Sequence, residues 1–180
     1  MKLSDFFDNL GSTLKSIVKI LIYSRRCTIS KIHKRRTLVI LANGPSLNTT
    51  ISESFDVLRT EDTMTVNFAP ATPVFNDLRP KYHILADPLF FTKEKPFNVA
   101  ELYRHLEKVD WKLTLLVPHK NKKDLPAEVL ANRHITVSTF NFIGLEGFDS
   151  FERFAFRHRL GMPRPRNVLI PAIMCGIWAG

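Results

Sequence analysis

The sequence predicts an α/β protein: a Rossmann-like, mostly parallel sheet preceded by an N-terminal amphipathic helix. Two patterns carry this. From Thr37 onward, short apolar runs alternate with helical stretches, which implies crossover connections between parallel strands. The runs Leu38 to Leu41 and Leu113 to Val117 are nearly unbroken in apolar character, as strands buried on both faces must be. A third observation gives the sheet a functional edge. The first run breaks into Ala42-Asn43-Gly44-Pro45-Ser46, and in open α/β sheets ligands sit outside the carboxyl ends of strands.

Taken in order, residues 4–23 read as a helix. Phe6, Phe7, Leu10, Leu14, Ile17, Val18 and Leu21 recur at three- and four-residue steps after Ser4, a good cap. Strands are expected at 37–42, 63–68, 82–86, 112–117 and 134–139, and helices near 51–59, 97–108 and 124–132. Ala69 to Pro80 reads as a proline-punctuated loop, and Asp87-Pro88 ends the third strand. The chain closes on an apolar helix, Asn167 to Gly180, with no charged end, and such crossovers normally feed another strand. The reading is therefore a C-terminally truncated domain, 37–180, behind a 1–36 segment of amphipathic helix and basic tail.

The net charge of +9 is concentrated. Nine lysines and arginines fall in residues 1–36 against Asp5 and Asp8, so most of the excess belongs to the N-terminal segment. An apolar stripe followed by cations suits an anionic membrane surface. It equally suits a helix packed on its own domain or on a second copy in a homo-oligomer. A milder basic patch, Arg153 to Arg166, is interleaved with Phe154, Phe156 and His158. There is no aromatic-basic strip of the kind single-strand nucleic-acid binders use, so no nucleic-acid partner is expected. Two cysteines, Cys27 and Cys175, make neither a disulfide framework nor a metal site. No signal peptide is evident, and the longest N-terminal apolar cluster, Ile17 to Tyr23, is far short of a span. A cytoplasmic protein, peripheral at the inner face of the membrane, is the expectation.

The turn after the first strand has the chemistry of a nucleotide site. Gly44 can take positive φ and lets a backbone approach a ligand. Pro45 fixes its own φ, and Ser46 can cap the following helix, whose exposed amides suit phosphate. Asn43 offers both a donor and an acceptor to a sugar or base. Asn67 and Asp87 end neighbouring strands and so reach the same edge. His83, His105 and His134 fall at no metal spacing and read as structural. No metal site is predicted.

Asn43-Gly44-Pro45-Ser46-Leu47 resembles the corresponding turn of the bacterial lipooligosaccharide sialyltransferases, glycosyltransferase family 42. Thr65-Val66-Asn67-Phe68 resembles that family's second strand, Tyr82 to Phe91 its third strand, and Asn167 to Gly180 its late apolar helix. The resemblance implies a nucleotide-sugar donor, a glycan acceptor and a role in cell-surface glycan synthesis, with no cofactor required. It also places Arg166 and Asn167 where the family's donor-contacting loop enters that helix, where an arginine suits phosphate. The family's general-base histidine lies downstream of the last strand here, so the catalytic residues stay unassigned and the chain as given is expected to lack its catalyst. Asp87 stands where the sialyltransferases carry asparagine. The related pterin diphosphokinase-like group tends to aspartate there, which implies an alternative: a pyrophosphokinase-like enzyme using ATP and magnesium. A non-catalytic basic membrane-binding module is the second alternative.

Overall fold

The structure, a computed structural model, describes residues 3–31, 37–42, 44 and 47–180. Five strands, β1 (Leu38–Leu41), β2 (Asp62–Val66), β3 (Tyr82–Ile84), β4 (Leu113–Pro118) and β5 (Ile135–Phe140), form one sheet in chain order. Every pairing is parallel, with Leu38 opposite Asp62, Met64 opposite Tyr82, Tyr82 opposite Thr114 and Leu113 opposite Ile135. The α/β, Rossmann-like sheet expected from the sequence is the observed one.

Sequential order has a consequence. Right-handed crossovers that always step the same way put all their helices on one face. That face carries α2 (Leu47–Thr60), α3 (Pro73–Leu78), α4 (Phe97–Glu107) and α5 (Ala127–Ala131). Phe75, Leu102, Leu106 and Val129 pack there against Leu113, Leu115 and Val117. The opposite face is closed by the last helix, α7 (Leu169–Ala179), whose Ala172, Cys175 and Trp178 cover Met64, Val66, Ile84 and Leu116. Cys27 joins the same cluster, so the two cysteines, distant in sequence, are near neighbours in space and both free. Burial pushes the Cys175 thiol well up, and the neighbouring Cys27 adds to it, which leaves Cys175 inert packing.

The stretch read as a loop, Ala69 to Pro80, contains helix. Pro70 and Pro73 sit in the first turns of a 3-10 turn (Ala69–Ala71) and of α3, where a missing N–H costs nothing. Pro88 does the same in a turn at Pro88–Phe91. Between β5 and α7 the chain adds a small parallel pair, β6 (Gly144–Leu145) with β7 (Met162–Pro163), flanking α6 (Asp149–Arg157).

The amphipathic helix α1 (Leu3–Tyr23) docks with its polar side inward. Ser16 Oγ donates to the carbonyl oxygen of Glu146 at 2.8 Å and accepts from the Glu146 N–H at 3.0 Å. Thr13 Oγ1 accepts from the Phe148 N–H at 3.0 Å. The apolar stripe, with Phe7, Leu14, Val18 and Leu21, stays exposed. The helix itself packs on its own domain, one of the alternatives the sequence left open: Ile20 joins Ile143, Leu145 and Ala155, and the Phe6 ring lies 5.5 Å from that of Phe148. Residues 24–31 then cross the open side of β5: the Thr28 N–H donates to Thr139 O at 2.9 Å, and Ile29 is buried with Met64. Among the described residues no helix is long and apolar enough to cross a membrane.

Candidate functional site

At the carboxyl ends of β2 and β3 a crevice of about 360 Å³ opens toward the start of α7. Its polar residues are Asn67, Asp87, Arg166 and Asn167, and its apolar walls include Phe142, Pro165 and Val168. Four of the eight residues singled out in the sequence are thus gathered in one cavity by three separate segments.

Each is placed by local chemistry. Asn67 leaves β2 with left-handed backbone (φ 51°), a conformation asparagine tolerates better than most residues. Its N–H donates to Ile84 O at 3.2 Å, while its Oδ1 is buried with no partner among the described residues. An orphaned buried carbonyl oxygen is costly and is what a ligand donor would satisfy. Asp87 caps the turn after β3: Oδ1 accepts from the Leu89 N–H at 2.8 Å, and the exposed carboxylate keeps its other oxygen available. Asn167 Oδ1 accepts from the N–H groups of Leu169 at 3.0 Å and Ile170 at 3.4 Å, capping α7. Arg166, exposed on the rim, sets a cation beside that helix start. An amide, a carboxylate, a cation and a helix amino end facing one cavity can hold a hydroxylated ligand that also carries phosphate.

The structure describes only part of the turn after β1. Asn43, Pro45 and Ser46 lie outside the described residues. Gly44 is exposed and would carry a Cβ into open space. The Gly44 carbonyl accepts from the Leu47 N–H at 3.0 Å, and Gly44 does not line the crevice.

His83 occupies the middle of β3, fully buried against Phe75, with Nδ1 2.9 Å from Thr65 Oγ1. Burial drives its pKa down to about 3, so it is a neutral core residue, matching the structural role expected for it. Among the described residues no group of histidines, cysteines and carboxylates is arranged to hold a metal ion.

A second cavity escapes the sequence reading. The carboxyl ends of β4 and β5 border a space of about 430 Å³ lined by Lys19, Tyr23, His119, Lys120, Phe140 and Phe142. The signal was present in the run His119 to Asp124, HKNKKD, which forms a 3-10 turn directly after β4.

The sequence matches no known family pattern and no curated protein. In three dimensions the chain is similar to MAf glycosyltransferase from Magnetospirillum magneticum AMB-1. The TM-score is 0.52 at 14% identity, over 98% of this chain and 26% of that one. The likeness establishes a shared fold, and this chain spans about a quarter of that protein's length.

Proposed function

We propose that this chain forms the nucleotide-binding part of a glycosyltransferase-like protein, with the β2–β3 crevice as the donor site. The observation that carries the reading is the convergence of Asn67, Asp87, Arg166 and Asn167 on one cavity at the carboxyl end of a parallel sheet. The similarity to a glycosyltransferase fold supports it. In this reading Asn67 and Asp87 take hydroxyl or base edges of the nucleotide, and Arg166 with the start of α7 takes its phosphate. The finer proposal, from the sequence resemblance, is a CMP-sugar donor and a cell-surface glycan acceptor, with Asn43 to Ser46 completing the donor site. The exposed stripe of α1 would hold the protein at an anionic membrane surface.

One observation favours a second reading. Asp87, with an unengaged oxygen, is the carboxylate of the crevice among the described residues. Magnesium is commonly held by one or two carboxylates plus substrate phosphates, so the donor set fits a pyrophosphokinase-like ATP–magnesium complex. Calorimetric titration of the intact chain with CMP and with ATP, each with magnesium or with chelator, separates the two. Chelator-insensitive CMP binding lost in Asp87→Ala and Arg166→Ala supports the donor reading. Magnesium-dependent ATP binding without CMP binding supports the other. Binding of neither removes the crevice as a nucleotide site.

A further inference from the structure

The second cavity is strongly and one-sidedly charged. It continues from the 430 Å³ space into a groove of about 670 Å³ that adds Arg25, Lys122 and Lys123. Its cations are Lys19 and Arg25, from the end of α1 and the residues after it, and Lys120, Lys122 and Lys123, from the turn after β4. No carboxylate lines it among the described residues, and the four lysines form no ion pair there. Cations held close together repel unless an anion joins them.

The convergence is built. Asn141, 3% exposed, takes the Arg25 N–H on Oδ1 at 2.9 Å and gives its amide to Arg25 O at 2.7 Å and Arg159 O at 2.8 Å. Arg25 in turn donates from Nη1 to the carbonyl oxygens of Ile22 and Ser24, closing the last turn of α1. The end of α1, with Lys19 and Tyr23, is thus fixed over the cavity. Tyr23, exposed, and Phe142, half-buried, supply aromatic surface beside the charge, suited to the apolar face of a sugar ring. Phe142 lines both this cavity and the β2–β3 crevice, so the two sites meet across one ring.

We propose that this basic cleft is the acceptor subsite and that it takes a phosphate-bearing, multiply anionic acceptor. The assignment rests on the crevice being the donor site. Multiple charge suits a cleft with several lysines, because each lysine is a point charge that gains most from a dense anion. The phosphate can come from a soluble sugar phosphate or from a lipid headgroup lying under the exposed stripe of α1.

The test uses the intact chain and a Lys120→Ala/Lys122→Ala/Lys123→Ala variant, whose changes fall on an exposed turn and leave the core untouched. Inorganic pyrophosphate and CMP are titrated separately and together by calorimetry. The expected result is pyrophosphate affinity reduced at least about tenfold in the triple variant, a loss of about 1.4 kcal/mol or more, with CMP affinity unchanged and no competition between the two. Lys19→Ala, on a different element, should weaken pyrophosphate in the same direction. Pyrophosphate binding that is absent, or equal in both proteins, overturns the proposal. Mutual exclusion of pyrophosphate and CMP also overturns it, because the cleft would then be part of the donor site. If CMP fails to bind while pyrophosphate depends on the lysines, the anion site stands and the acceptor role falls with the donor reading. Sedimentation with phosphatidylcholine vesicles, with and without phosphatidic acid, assigns the source. Capture that needs both phosphatidic acid and the three lysines supports a lipid phosphate, and pyrophosphate dependence without such capture supports a soluble one.

Discussion

Asn141 holds Arg25 by both sides of its backbone, accepting its N–H at 2.9 Å and donating to its carbonyl oxygen at 2.7 Å. One buried side chain thereby replaces a strand partner for the segment that follows α1. Asn141→Ala leaves these groups, and the carbonyl of Arg159, to find other partners. Unsatisfied buried groups cost about 1–3 kcal/mol each, and water reaches some of them here, so a total loss of about 2–4 kcal/mol is expected. Urea unfolding measures it, and a loss below about 1 kcal/mol would show that Arg25 is held elsewhere. Limited proteolysis should cut near residues 24–31 sooner in the variant.

Two glycines should behave in opposite ways. Gly147 has φ +144°, and an added Cβ would lie 2.1 Å from Thr13 Oγ1, at the notch where α1 docks. Gly147→Ala should cost about 1–3 kcal/mol from the backbone alone, with the collision in addition. Gly44→Ala meets open space and should stay within about 0.5 kcal/mol of the parent. That makes Gly44→Ala a clean probe of ligand approach to the β1 turn: unchanged stability with weakened CMP binding places the turn in the site. Thermal unfolding showing both variants equally stable would contradict the packing of Thr13 on Gly147.

The sheet was legible because parallel strands buried on both faces leave nearly unbroken apolar runs, as at Leu113 to Val117. Helix α3 was hidden because Pro70 and Pro73 read as punctuation, although proline at a first turn opens a helix as readily as it ends one. Asn67 and Asp87 were legible as polar residues that end apolar strands, whereas Arg166 and Asn167 came only from resemblance. Of the basic cleft the sequence shows only one part, the run His119 to Asp124. Lys19, Arg25 and Lys120 to Lys123 lie far apart in the chain, and counting charge by stretch groups the first two with the N-terminal segment. Only the docking of α1 through Thr13 and Ser16, two small polar residues in an apolar pattern, brings them together.

His83 should make stability depend on pH. Burial lowers its pKa from 6.5 to about 3, so the unfolded chain takes up a proton below about pH 6.5 that the folded protein refuses. Its contribution is whole above pH 6.5 and is lost progressively as pH falls toward 3. Each pH unit in that window removes at most about 1.4 kcal/mol. His83→Leu, which keeps the site apolar, should therefore lose up to about 2 kcal/mol less than the parent between pH 7 and pH 5. Parallel stability–pH curves for the two proteins, measured by urea unfolding, would show that the imidazole is protonated within the fold.

The outward stripe of α1 should drive association with anionic membranes. Leu14, Val18 and Leu21 are 55%, 53% and 76% exposed, while the docking contacts are made by Thr13 and Ser16 on the other side of the helix. Val18→Glu with Leu21→Glu should therefore leave the fold intact. The two side chains would contribute about 1.5–3 kcal/mol each if buried in lipid, so their loss should reduce capture by anionic vesicles at least tenfold. Capture by the parent should also fade with salt, since Lys15, Lys19, Arg25 and Arg26 lie along the same segment. Analytical ultracentrifugation supplies the contrary outcome. A parent that ignores vesicles but sediments as a dimer, and becomes monomeric in the double variant, would assign the stripe to a second copy of the chain rather than to lipid.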